Sequence, residues 1–182
     1  MQINDVELQS LKSQIVSYPD YPKPGILFQD IWPLVGNPDS MKKMISMFAD
    51  RYRNQNVDVI VGLESRGFVL GVPLAMELNI PFVPVRKKGK LPGAVVQATY
   101  EKEYGEDIFE LSSHSITKGQ SVVVVDDVIA TGGSALAVFN LIKQLGGKVH
   151  ELATLFQIEG VPRTSLGVPS FELFASNAEQ VQ

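Results

Sequence analysis

Residue types able to do chemistry crowd most tightly in Val122–Ala135, VVVVDDVIATGGSA. Four valines lead to two adjacent carboxylates, Asp126 and Asp127. A loop of small residues follows, and then Ala135, Val138, Phe139, Ile142 and Leu145 fall on one side of a helix. In open α/β sheets ligands bind at the carboxyl ends of strands, where these acids stand. Ala130, Thr131, Gly132, Gly133 and Ser134 lie at the helix N-terminus, whose first backbone N–H groups lack intrahelical partners and can cradle a phosphate. Gly132 and Gly133 let the backbone approach closely, and Thr131 and Ser134 add hydroxyl donors. The lysine of a nucleoside-triphosphate loop is missing, which disfavours that class of phosphate binding. Carboxylates accept hydrogen bonds from hydroxyls and repel phosphate. The arrangement therefore suits a ligand with vicinal hydroxyls near a phosphate, as in a ribose 5-phosphate. Taken without the loop, the aspartate pair could equally cap the turn that follows it.

Three other segments carry groups of interest. GLESRGF, Gly62 to Phe68, has the form of a strand-to-helix turn, and its Arg66 is either a surface charge or an anion ligand. Arg86, Lys87, Lys88 and Lys90 make a basic run in a chain of net charge -4, either a solvated turn or an anion grip. The polar, glycine-bearing section from Arg86 to Ser115 alternates around Val95–Tyr100 and Ile108–Leu111, as a hairpin or a mobile flap would.

The elements that must position these groups alternate along the chain. Val6, Leu8, Leu11, Ile15 and Val16 follow helical spacing between Asp5 and Ser17, and the prolines and glycine of YPDYPKPG then stop any helix. Asn37-Pro38-Asp39-Ser40 reads as a helix start, with Met41, Met44, Ile45 and Phe48 on one face. Apolar runs at Val57–Gly62, Ile80–Val85, Val122–Asp127 and Val149–Ile158 alternate with helical stretches at Gly67–Leu78 and Gly133–Leu145. Continuous apolar strands separated by helices predict an α/β fold with a parallel-core sheet flanked by helices.

Composition narrows the function. The 182 residues suit one domain, and the negative net charge gives no footprint for nucleic acid. There are no cysteines for disulfides, thiol nucleophiles or thiolate metal sites. His114 and His150 are too far apart in sequence to suggest a metal pair, and with Trp32 they read as structural. No stretch of about 18 apolar residues occurs, and the N-terminus lacks a basic and apolar leader, so a cytoplasmic protein off the membrane is expected.

The Val122–Ala135 segment resembles the phosphoribosyl pyrophosphate signature of type I phosphoribosyltransferases. YPDYPKPGILFQDI, GLESRGFVLG, VPVRKKGKLPG and YEKEYG, spread with it between Tyr18 and Phe156, resemble the adenine-specific members in order and spacing. The resemblance implies purine salvage, with a Mg²⁺-dependent transfer of phosphoribose from phosphoribosyl pyrophosphate to adenine, giving AMP and pyrophosphate. It implies that Asp126 and Asp127 contact the ribose hydroxyls, and that Ala130 to Ser134 hold the 5-phosphate. Arg66 and the backbone around Glu64 and Ser65 would grip pyrophosphate, at a turn where the family often has a cis peptide. Arg86, Lys87 and Lys90 would stabilise the departing charge, with such a cation sometimes supplied by a neighbouring subunit, so a homodimer is implied. Glu103 would move the proton at the base, and Tyr104, with Tyr100, would close the loop or merely pack it. Phe28 would stack on the purine and the backbone near Leu27 would pair with its edge. Gln29 stands where many members have arginine. Mg²⁺ would arrive on the pyrophosphate, with no direct protein ligand.

The resemblance further implies a single domain, with an N-terminal helix and base-binding hood over about residues 1–35, and a core over about 36–182 with a flexible loop near 93–111. Two competing readings are a transferase for 6-oxopurines and a non-catalytic regulator that senses phosphoribosyl pyrophosphate. The second would need a basic module that this chain has no residues left to build. A receiver-like signalling domain also has acids at strand ends, but the TGGS cradle does not suit it.

Overall fold

Strands made of valine and isoleucine, with no polar alternation, can only be satisfied when both faces of their sheet are covered. The computed structural model, which describes residues 5–101, 105–158 and 164–175, places them in that position. In chain order the helices are α1 (Asp5–Lys12), α2 (Trp32–Val35), α3 (Pro38–Tyr52), α4 (Arg66–Leu78) and α5 (Gly133–Gln144). The strands are β1 (Val16–Tyr18), β2 (Phe28–Asp30), β3 (Val59–Leu63), β4 (Phe82–Lys87), β5 (Val95–Glu101), β6 (Glu106–Ser112), β7 (Ser121–Val125), β8 (Val128–Ile129), β9 (Lys148–Gln157) and β10 (Ser170–Ala175).

The main sheet runs β10-β9-β7-β3-β4-β6-β5, with β8 also paired to β9. From β10 to β4 the pairs are parallel, and β6 and β5 extend the sheet as an antiparallel hairpin. The pleat divides the central strands between two cores. Ile60, Val123 and Val125 pack with Met44 and Phe48 of α3 and Leu70 and Leu74 of α4. Val59, Val61, Val122 and Val124 pack on the other face with Val138, Phe139 and Ile142 of α5. The chain leaves β3 through α4 toward β4, and leaves β7 through α5 toward β9, on opposite faces and in opposite directions. The carboxyl ends of β3 and β7 thus flank a topological switch point, the crevice where α/β sheets bind ligands.

Two helix starts are fixed locally. Asn37 caps α3, its side-chain oxygen accepting from the N–H groups of Asp39 and Ser40 at 3.1 Å each, with Pro38 in the first turn as its sequence suggests. Gly67 lets α4 start against β7: a Cβ there would lie 2.5 Å from the carbonyl oxygen of Val125. Behind the sheet, the nearly buried carboxylate of Glu151 on β9 accepts from Arg51 at 2.5 and 2.6 Å and from the Tyr52 hydroxyl at 2.7 Å. Burial opposes ionisation of Glu151, yet these bonds outweigh it and hold its pKa below the usual value; burial, then the Glu151 bond, pushes Tyr52 up.

The N-terminal helix expected to reach Ser17 ends at Lys12. Val16–Tyr18 instead pairs antiparallel with Phe28–Asp30 around the proline-rich turn, β-branched Val16 and the prolines favouring an extended chain. The short α2 and the edge strand β10 had no expected counterpart, whereas the hairpin anticipated at Val95–Tyr100 and Ile108–Leu111 is β5 and β6.

Candidate active site

The crevice is a cleft of about 250 Å³. Its lining brings together Glu64, Ser65 and Arg66 from the β3–α4 turn, Asp126 and Asp127 from the end of β7, and Ala130, Thr131, Gly132 and Ser134 before α5. Val128, which had drawn no attention in the sequence, also lines it. Gly132 takes φ +89°, a conformation that favours glycine, at the N-cap of α5; no side-chain cap bond occupies that end. Gly133 is the first residue of α5 and is not part of the lining. The Glu64–Ser65 peptide is cis, as the resemblance implied.

The two aspartates sit side by side, Asp127 buried and Asp126 half-buried. Asp126 accepts from the backbone N–H of Asp127 at 2.9 Å, and Asp127 Oδ2 forms an ion pair with Arg66 Nη1 at 2.8 Å. Burial, then the neighbouring Asp127 charge, raises the pKa of Asp126 well above the ordinary carboxylate value; burial also raises Asp127, with Arg66 opposing. Such a pair gains from any ligand that brings hydroxyl donors or a cation, because either restores what burial removed.

Arg66 links three parts of the protein. Besides Asp127, its guanidinium lies 5.6 Å from the ring centre of Phe28 on β2, and that ring meets Tyr21 edge-on at 5.2 Å. The carboxylate of Glu64 is turned to β4, accepting from Arg86 Nε at 3.0 Å and from the Lys87 N–H at 2.9 Å. The Arg86 bond is the main reason its pKa is held below the usual value.

Several residues singled out in the sequence lie outside this lining. Lys87 Nζ is 3.4 Å from Asp107 on β6, and Lys90 sits in an exposed turn. Leu27, Phe28 and Gln29 belong to the N-terminal hairpin region, where Gln29 accepts from the Ser17 hydroxyl at 2.9 Å. Trp32 is half exposed, and His150 bonds with Gln55. Glu103 and Tyr104 lie outside the described residues. Among the described residues no group of three His, Cys, Asp or Glu could hold a metal ion. Two adjacent carboxylates, one already ion-paired with Arg66, suit a cation brought in by a ligand better than a resident one.

Comparison with known proteins bears on this geometry directly. The phosphoribosyl transferase domain family matches residues 34–164, which include β3, β7 and both loops of the cleft. Adenine phosphoribosyltransferase from Pectobacterium carotovorum is 46% identical over 171 residues, 92% of each chain. The chain belongs to the adenine phosphoribosyltransferase family. The structure of the Saccharomyces cerevisiae adenine phosphoribosyltransferase, complexed with an iminoaltritol bisphosphate and adenine, superposes with a TM-score of 0.89 at 43% identity, covering 94% of this chain and all of that one. That of Trypanosoma brucei, in complex with AMP, pyrophosphate and ribose-5-phosphate, gives 0.82 at 30% identity, covering 93% and 79%. The parallel-centred sheet with flanking helices is thus the type I phosphoribosyltransferase fold. Within that family the switch point, the acid pair and the small-residue loop of this chain fall where the fold expects a ligand.

Proposed function

We propose that the protein transfers phosphoribose from phosphoribosyl pyrophosphate to adenine in purine salvage, forming AMP and pyrophosphate. One observation carries the reading: two adjacent carboxylates, a helix N-terminus without a side-chain cap and Arg66 face a single cleft at the β3/β7 switch point. A sugar phosphate offers each of them a matching group. Ribose hydroxyls donate to Asp126 and Asp127, the 5-phosphate accepts from the backbone of Ala130–Ser134 and from the hydroxyls of Thr131 and Ser134, and Arg66 turns from Asp127 to the pyrophosphate beside Glu64 and Ser65.

The base nitrogen attacks ribose C1, the C1–O bond to pyrophosphate breaks, and its electron pair leaves with the pyrophosphate. Arg66, Arg86, Lys87 and Lys90 stabilise that growing charge together with Mg²⁺, which enters chelated to the substrate. Glu103 accepts the proton that purine N7 loses as the bond between the base and C1 forms. Phe28 stacks on the base, the backbone near Leu27 reads its edge, and Gln29 offers a neutral amide. The segment near 93–111, with Tyr104, closes over the site and excludes water. On this reading about residues 1–35 are the N-terminal helix and base-binding hood, and about 36–182 the core, of a single domain. A homodimer in the cytoplasm completes the reading. Among the described residues no helix is long and apolar enough to cross a membrane.

The test is AMP formation from adenine, phosphoribosyl pyrophosphate and Mg²⁺, with hypoxanthine, guanine and xanthine in parallel and Glu103→Ala beside the wild type. Adenine-selective turnover that falls in the variant is expected. Faster turnover with a 6-oxopurine would reassign the base, and binding of phosphoribosyl pyrophosphate without turnover would make the protein a sensor.

A further inference from the structure

Glu110 is a buried acid for which the cleft chemistry has no use. It is 3% exposed, in the middle of β6, and lies opposite Arg86 of β4 on one side and Gln97 of β5 on the other. Directly opposed residues share one face of a sheet, so the simplest partner for Glu110 would be Arg86. Arg86 is instead bonded to Glu64. Both carboxylate oxygens of Glu110 go elsewhere: Oε1 accepts from Gln97 Nε2 at 2.8 Å, and Oε2 accepts from the backbone N–H of Gly89 at 2.9 Å.

Gly89 is the third residue of the turn Lys87–Lys90, closed by the Lys90 N–H on the Lys87 carbonyl at 3.2 Å, and it takes φ +78°. The N–H at this position points out of a β-turn and has no partner within it. A buried carboxylate thus holds the outward side of a turn whose other three residues are lysines, all exposed. A neutral group could hold the N–H, but only an acid also offsets the repulsion of three clustered cations.

We propose that Glu110 is a positioning residue: it seats the Lys87–Lys90 turn, and through it the cations that meet pyrophosphate. The inference rests on the phosphoribosyl transfer reading, from which its test can be separated. The role concerns pyrophosphate and not the base, so the two substrates respond differently to its loss.

Kinetics of AMP synthesis with the full chain provide the test, using Glu110→Ala, Glu110→Gln and the exchange Glu110→Gln/Gln97→Glu. Glu110→Ala raises the KM for phosphoribosyl pyrophosphate, and weakens product inhibition by inorganic pyrophosphate, by about tenfold or more, while the KM for adenine stays within about twofold. In the exchange, the amide oxygen at position 110 accepts from Gly89 and its NH₂ donates to the carboxylate at 97. Hydrogen bonds and net charge are both restored, and the KM for phosphoribosyl pyrophosphate returns most of the way from its Glu110→Gln value. A fall in thermal stability with unchanged KM and unchanged pyrophosphate inhibition would overturn the proposal. If Glu110→Ala does not fold, the exchange decides: no improvement over Glu110→Gln overturns it. Absence of turnover in the wild type would instead undo the transferase reading itself.

Discussion

Gly67→Ala tests whether the start of α4 and the end of β7 must touch for the cleft to work. The added Cβ would stand 2.5 Å from the Val125 carbonyl oxygen and 3.4 Å from the Gly62 carbonyl carbon, backbone atoms that cannot swing aside. Real Cβ atoms essentially never approach closer than 3.0 Å, so α4 or β7 must retreat by at least 0.5 Å, and by about 0.9 Å to reach ordinary contact at 3.4 Å. Arg66 precedes Gly67 and Asp126 follows Val125, so the retreat opens the 2.8 Å contact between Arg66 and Asp127. Overpacking costs ~1–3 kcal/mol, and the better helix propensity of alanine returns ~1 kcal/mol, for a net loss of up to ~2 kcal/mol. At ~2–4 °C per kcal/mol for a chain of this size, Tm falls by up to ~8 °C. Misplacement of reacting groups by about 1 Å costs up to ~100-fold, so kcat/KM for AMP synthesis should fall by roughly 10- to 100-fold. Gly71→Ala is the comparison, because its Cβ would meet the Phe82 ring at 2.7 Å, a side chain away from the cleft lining. It should lose stability without a matching loss of rate. Gly67→Ala with wild-type kcat/KM, or with no greater loss than Gly71→Ala, would refute the reasoning.

Asp127→Asn should lower kcat/KM by about 100-fold or more, since it removes both a ribose acceptor and the Arg66 partner, while Tm moves by less than ~3 °C because Arg66 can rehydrate. Asp126→Asn should stabilise the free protein while impairing catalysis. The folded pKa of Asp126 lies above its ordinary 3.8, so wild-type stability declines as pH rises from that value through the folded one. Melting curves from about pH 4 to 8 should be flatter for the variant and higher at neutral pH; a variant less stable than wild type at pH 7 would contradict this. Glu151→Gln should destabilise by about 2 kcal/mol, less than a fully enclosed pair because Arg51 remains partly exposed, and leave KM values unchanged. The folded pKa of Glu151 lies below its ordinary 4.5, so its contribution is complete above that value and is lost as pH falls through the folded one. The variant should therefore lose less stability on acidification below about pH 4.5, measured by melting temperature against pH.

The cleft was legible where local sequence determines local structure. Val122–Val125 can only be a buried strand, Gly132 and Gly133 mark a helix start, and the acids between them are then placed at a strand end. Asn37 and Pro38 likewise announce α3. What stayed hidden depends on strand order. The bonds from Arg66 to Asp127, Arg86 to Glu64 and Glu110 to Gly89 each join segments distant in the chain, and no periodicity reports which strands will be neighbours. The three-residue strands β1 and β2 are too short to signal themselves, and their pairing makes them strands; β10 stayed hidden although Leu173 and Phe174 are buried in it. Glu110 in particular reads as one more polar residue of a flap, and its burial follows only from β4 and β5 closing on either side.

The most direct check on the account is a crystal structure of the protein with AMP and pyrophosphate bound. The predicted result has the phosphate on the backbone N–H groups of Thr131–Ser134 and the ribose hydroxyls on Asp126 and Asp127, with Arg66 swung away from Asp127. A nucleotide seated elsewhere, with the Arg66–Asp127 contact intact at 2.8 Å, would contradict it.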